Sequence, residues 1–155
     1  MAKINVVLVN PEIPQNTGNI SRTCAVVGAA LHIIRPTGFE ISDRTLKRAG
    51  LDYWDKLDLT YYDGIDEFLE THREDKLYFF TSHTDTRFDE ADLSGDVYLV
   101  FGRESVGLDP ELLEKNRERT LRIPMKEGVR CLNLSNAVAV AVYEALRRTG
   151  YTGLK

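Results

Sequence analysis

The chain has 155 residues, of which 43% are hydrophobic, 28% charged and 9% aromatic. That balance sets aside the disordered, collagen-like and disulfide-stapled classes and is enough for one domain with a sizeable core. The formal net charge of −4 is segregated: residues 1–50 hold six basic and three acidic side chains, residues 51–100 four and fourteen, and residues 101–155 ten and seven. Local potential rather than total charge steers a polyanion, so a phosphate-binding surface built from the two basic ends stands beside the plainer reading of solvated faces.

In chain order, residues 4–9 form a short apolar run of strand length. A helix is expected over 16–28, with Asn16 and Thr17 as cap candidates and Ile20, Cys24 and Val27 at helical spacing. Residues 31–34 read as a second strand stopped before Pro36, and 42–49 as a helix with Gly50 beyond its end. Strands follow at 57–62, 77–81, 97–101 and 121–123. Between them lie a helix at 65–72 and a short one from Pro110. A long helix over 134–149 closes the series, with Gly150 after it. This alternation predicts an α/β fold: a mainly parallel sheet with helices on both faces, one domain over 1–155, without repeat or linker. No apolar run reaches the roughly 18–20 residues of a membrane helix, and the opening MAKINVVLVN has no targeting features, so no membrane partner and a cytoplasmic protein are expected.

The last helix is apolar from Ala137 to Tyr143 through nearly two turns, so both of its sides need cover. One side can pack on the sheet; the other predicts a homodimer, with complete enclosure inside one subunit as the alternative. Cys24 and Cys131 lack a CxxC spacing and are expected as two buried, reduced thiols. His32, His72 and His83 form no HExxH pattern, so no metal site is expected. Asn19-Ile20-Ser21 and Asn133-Leu134-Ser135 match the glycosylation tripeptide by chance.

Three loop motifs sit at strand ends, where open α/β sheets place ligands. NTGNISR puts polar residues and Arg22 at a helix start, suited to a phosphate or polarised oxygen, or to simple capping. FGRESVGL has glycines five apart, for close approach to a flat ligand or for a plain turn, and fits neither the Walker loop nor GxGxxG. IPM followed by RCLNLSNA leads into the apolar helix, where Asn133 or Ser135 is a cap candidate.

Taken together, NTGNISR, FGRESVGL and IPM with RCLNLSNAVAVAVYE resemble the signature blocks of the SPOUT superfamily of S-adenosylmethionine-dependent RNA methyltransferases. The resemblance covers nearly the whole chain. Its short length, NPEIPQNTGNISRTCA and LKRAGLDYW make it similar to the TrmL-type members, which methylate the ribose 2′-hydroxyl of the wobble nucleotide, cytidine or modified uridine 34, in leucine transfer RNAs. The resemblance implies a C-terminal deep trefoil knot, which the usual rules of chain topology disfavour, with S-adenosylmethionine bound in it and two subunits packed through it.

It also places the cofactor on the backbone around Phe80, Gly102, Ile123, Cys131 and Leu132, where loop shape matters more than side-chain identity. Cys131 stands where relatives often carry serine. Arg22 matches the arginine beside the reacting ribose, facing the partner subunit's cofactor. A guanidinium is a donor only, so Arg22 is expected to polarise the hydroxyl, bind the adjacent phosphate or stabilise negative charge rather than act as base. The electrophile is a sulfonium methyl and the reaction calls for no metal. Asn133 and Ser135 are candidates for orienting the ribose, with helix capping as the competing role. Arg44, Lys47 and Arg48 share one side of a predicted helix and are candidate transfer-RNA phosphate contacts, or a solvated face. Two other readings stay open: the same chemistry on ribosomal RNA, and an RNA-binding protein without methyl transfer.

Overall fold

Six short apolar runs, β1 (Ile4–Val9), β2 (Ala30–Ile34), β3 (Asp58–Tyr62), β4 (Leu77–Phe80), β5 (Val97–Phe101) and β6 (Thr120–Leu121), hydrogen-bond into one sheet of order β3-β2-β1-β5-β4-β6. Every pairing is parallel. The computed structural model of the chain describes residues 2–40, 42 and 56–155. The helix expected over 42–49, with Arg44, Lys47 and Arg48, lies outside the described residues. The helices are α1 (Pro14–Val27), α2 (Ile65–Thr71), α3 (Pro110–Lys115) and α4 (Leu134–Arg148).

Strand side chains alternate between faces, and in β1 both faces are buried. Val6 and Leu8 join Ile20 and Cys24 of α1 and Val138, Ala141 and Val142 of α4 in one core. Val7 and Val9 join Phe68 of α2 and Leu108, with Leu112 and Leu113 of α3 at its margin, in the other. A strand covered on both sides reads as an unbroken apolar run, as INVVLV does. Among the described residues no helix is long and apolar enough to cross a membrane.

Most element boundaries fall where the spacing predicts, and the departures have identifiable causes. α1 starts at Pro14 rather than Asn16, because proline suits the first helical position, where no N–H is needed. Asn16 and Thr17 are therefore inside the helix and buried, not caps. β6 is only two residues long and ends at Leu121; beyond it Arg122 makes an isolated bridge to Arg87. Cys24 is buried, which pushes its thiol up to about 12. Cys131, expected to be buried, is exposed, because it stands in the open stretch between β6 and α4.

The apolar stretch of α4 is covered on one side only. Val138, Ala141, Val142, Ala145 and Leu146 are buried within the chain. Asn136, Val140, Tyr143 and Arg147 form an exposed row one helical turn apart. Enclosure inside one subunit is thus incorrect, since Val140 and Tyr143 keep 41% and 46% of their surface.

A buried polar chain ties β1, β2, β3 and α2 together. Asn5 Nδ2 donates to the Lys3 and Val97 carbonyls, which turns its Oδ1 to His32 Nε2 at 3.0 Å. His32 Nδ1 meets the Tyr62 hydroxyl at 2.9 Å, Tyr62 meets His72 Nε2 at 2.8 Å, and His72 Nδ1 meets Asp75 at 2.8 Å. Burial, then repulsion from His72, lowers the His32 pKa from 6.5 to about 4, against the pull of Asp58 and with Lys3 reinforcing.

His32 is therefore neutral in the fold, and unfolding at mildly acid pH lets it take up a proton. Its contribution is fully present above pH 6.5 and is lost as the pH falls toward about 4, a total of about 3 kcal/mol. The urea midpoint is expected to drop between pH 7 and pH 5, above the carboxylate range. A midpoint that does not move contradicts this account.

Candidate active site

Because all six strands run the same way, the loops after β1, β4, β5 and β6 emerge along one edge. There the loops after β1 and β5 hold each other through a reciprocal pair of carboxylates. Glu104 accepts from the main-chain N–H of Glu12 at 2.9 Å and of Ile13 at 2.6 Å, and from Asn16 Nδ2 at 3.4 Å. In return Glu12 accepts from Ser105 N–H at 3.0 Å and its hydroxyl at 2.7 Å, bonds that hold its carboxyl below the usual carboxylate range.

Ile13 offers α1 no capping side chain. Glu104 takes over that role from another loop, and its negative charge suits the helix N-terminus. Glu12, Glu104 and Ser105 were not singled out by sequence reasoning, and Asn16 only as a helix cap. The available signal was a glycine loop bearing a carboxylate, together with a helix start, Ile-Pro, that cannot cap itself.

The glycines of FGRESVGL serve the loop rather than a flat ligand. A Cβ on Gly102 would lie 2.2 Å from the Gly107 carbonyl carbon and 2.3 Å from the Leu108 nitrogen. Arg103 and Gly107 exchange main-chain hydrogen bonds of 3.2 and 2.9 Å, and Gly107 has φ +71°. The close approach is between the two arms of the loop itself.

The stretch after β6 has the opposite character. From Ile123 to Leu132 the main chain bonds to no strand, helix or other loop among the described residues, and its one regular feature is the local turn at Glu127-Gly128. Leu132 is 42% exposed and Cys131 is exposed beside it. The stretch ends at Asn133, whose Oδ1 accepts from the N–H groups of Ser135 and Asn136 and from the Ser135 hydroxyl, capping α4. Its Nδ2 donates to Asn16 Oδ1 at 3.0 Å. Asn133 and Ser135 are thus both used in the cap, and Asn16 links that cap to Glu104. Next to Asn16, the fully buried Thr17 hydroxyl has no hydrogen-bond partner among the described residues. Between the ends of β4 and β5, Phe80 and Phe101 stack with centroids 4.6 Å apart.

The structure places Phe80, Gly102, Ile123, Cys131, Leu132, Asn133 and Ser135 at or beside this edge. Arg22 stands elsewhere. It lies exposed on α1 and lines a shallow cleft of about 320 Å³ with Asn19, Thr23, Val26 and Tyr143. None of the cofactor candidates lines that cleft. A larger hollow of about 430 Å³ opens on the α2–α3 side, with Val9, Leu69, Arg103 and Leu112 in its wall, and contains no predicted site residue. Among the described residues no group of three His, Cys, Asp or Glu is placed to hold a metal ion.

Residues 3–143 match the SpoU rRNA Methylase family. The chain belongs to this family. A relative from Bacillus subtilis, described as a candidate tRNA (cytidine(34)-2′-O)-methyltransferase, is 50% identical over 98% of this chain and 97% of its own length. A structure from work on 2-OH methylation of C/U34 on tRNA superposes with a TM-score of 0.90 at 46% identity, covering 97% of this chain and 98% of the other. An AdoMet-bound rRNA methyltransferase from Sinorhizobium meliloti superposes at 0.82 with 25% identity, covering 94% of this chain and 56% of the other. The SpoU methylase fold is therefore the parallel sheet and helical layers described above, and the chain is a methyltransferase by family.

Proposed function

We propose that this SpoU methylase transfers a methyl group from S-adenosylmethionine to the ribose 2′-hydroxyl of the wobble nucleotide, cytidine or modified uridine 34, of leucine transfer RNAs in the cytoplasm. The observation that carries the cofactor part is the ten-residue run from Ile123 to Leu132, whose main chain, its local turn apart, bonds to no other described residue, set beside the closed Gly102 loop. Adenine and methionine edges are donors and acceptors that such main-chain groups match, and exposed Leu132 offers apolar cover. The residues present fit the group. Phe80, Gly102, Ile123, Cys131 and Leu132 would hold it, and when bound it supplies a methyl group activated on a sulfonium. The near full-length likeness to relatives named for position 34 supports the substrate class.

Arg22 is the reacting-site residue in this reading. Its fork of donors can grip a phosphate beside the ribose and stabilise negative charge on the 2′-oxygen. Within one chain Arg22 shares its cleft with Val26, 57% exposed, and with Tyr143. A second copy packed on this apolar face of α1 and α4 covers Val26, Val140 and Tyr143 and brings Arg22 to the neighbouring subunit's cofactor loops. The trefoil knot belongs to the same proposal. It is carried by membership of the SpoU methylase family.

The test is transfer of a labelled methyl group from S-adenosylmethionine to bulk transfer RNA, followed by nucleoside mass spectrometry. A 2′-O-methylated wobble nucleotide in leucine transfer RNA is the expected product. Incorporation into ribosomal RNA alone would reassign the substrate, and cofactor binding without any incorporation would overturn methyl transfer.

A further inference from the structure

Among the described residues nine cations have a carboxylate within 4.0 Å: Lys3 has Asp58, Arg35 Asp63, Arg73 Glu70 and Glu74, Lys76 Asp92, Arg87 Asp89 and Glu90, Lys115 Glu111, Arg117 Glu114, and Arg147 and Arg148 share Glu144. Three exposed cations at the carboxyl edge of the sheet are different. Arg103, Lys126 and Arg130 have no carboxylate within 4.0 Å among the described residues. The acids beside Arg103 bond elsewhere, Glu104 to the amides of Glu12 and Ile13, and Glu12 to Ser105, although the Arg103 charge also helps to lower the Glu12 carboxyl, and Asp66, Asp109 and Glu111 line the same hollow as Arg103. Glu127 is the one acid between Lys126 and Arg130, at the turn that Gly128 closes with φ +77°.

The two loops that carry these cations are joined through Asn16, which bonds Glu104 on one side and Asn133 on the other. Lys126 and Arg130 lie in the open Ile123–Leu132 run with exposed Val129 between them, and Arg103 stands on the neighbouring loop at the mouth of the α2–α3 hollow. Cations that give up no ion pair to a described residue on binding, set about an apolar side chain, suit a flexible single-stranded nucleic acid: phosphates take the charges and a base face takes the valine.

We propose that Arg103, Lys126 and Arg130 form a phosphate-binding rim that holds the RNA strand flanking the target nucleotide. The inference rests on the methyltransferase reading, and it assigns to these loops an RNA-contact role in addition to cofactor binding.

The experiment measures transfer-RNA affinity of the full-length protein against salt concentration, with cofactor binding followed separately by calorimetry. Each phosphate contact on a single strand contributes about 0.7 to the slope of log affinity against log salt. Lys126→Gln with Arg130→Gln is expected to lower the slope by about 1.4 and weaken binding several-fold near 0.1 M salt. Both side chains stand in the run whose main chain is offered to the cofactor, so RNA affinity is read at saturating S-adenosylmethionine, where the same fall in slope is expected. Arg103→Gln is expected to lower the slope by about 0.7. Arg73→Gln, which removes an equal but already neutralised charge, leaves it unchanged. A steep slope that the rim variants do not lower, an equal drop for Arg73→Gln, or a parallel loss of cofactor binding overturns the proposal while leaving the functional reading intact. An unaltered protein that binds no RNA overturns both.

Discussion

Arg22→Ala is expected to keep S-adenosylmethionine affinity and lose turnover by roughly 10²–10³-fold, the scale of removing one donor aimed at developing negative charge. The separation of the two effects follows from placement. Arg22 lies on the exposed face of α1, whereas the cofactor candidates lie along the carboxyl edge of the sheet, and none of them lines its cleft. Alanine is the best helix former and the side chain is outside both cores, so the fold should be retained within about 0.5 kcal/mol. Calorimetry with cofactor and single-turnover methyl transfer check the two halves. Arg22→Lys keeps the charge but not the planar fork, and is expected to recover only part of the rate. Turnover like that of the unaltered protein in Arg22→Ala would remove Arg22 from the reaction.

Val140→Glu is expected to convert the dimer to monomers and abolish methyl transfer. In one chain Val140 is 41% exposed on the outer row of α4, so glutamate there would be harmless to an isolated subunit. Against a second copy the same carboxylate loses its water without gaining a partner, a cost of several kcal/mol. Sedimentation at micromolar concentration reads the first effect and the methyl-transfer assay the second. Because the proposed site combines Arg22 of one subunit with the cofactor loops of its neighbour, both must fall together. A dimer that survives the substitution places the contact elsewhere.

What was legible in the sequence was what depends on near neighbours in the chain. The alternation of strand and helix, the parallel sheet and the two-sided cover of β1 follow from local periodicity, and the structure reproduces them. The short helix at Pro110 was equally plain, since Asp109 caps it from the adjacent position. The three motifs located the loops correctly but not the work of each residue. Asn16 was taken as a cap and is a buried link; Gly102 was offered to a ligand and meets its own loop; Cys131 was expected inside and lies outside.

Those differences share a cause: each depends on a residue distant along the chain. Glu104 caps a helix that begins 90 residues earlier because β1 and β5 are neighbours in the sheet. Asn133 reaches Asn16 across 117 residues because α1 and α4 lie against the same face. The α/β class, the strand and helix positions and the family resemblance can be read from consecutive residues, since periodicity and motif spacing are local properties. Which carboxylates meet main-chain amides, and which described cations have no described carboxylate nearby, depends on the folded chain, because hydrogen bonds and ion pairs act over a few ångströms in space, whatever the separation in sequence.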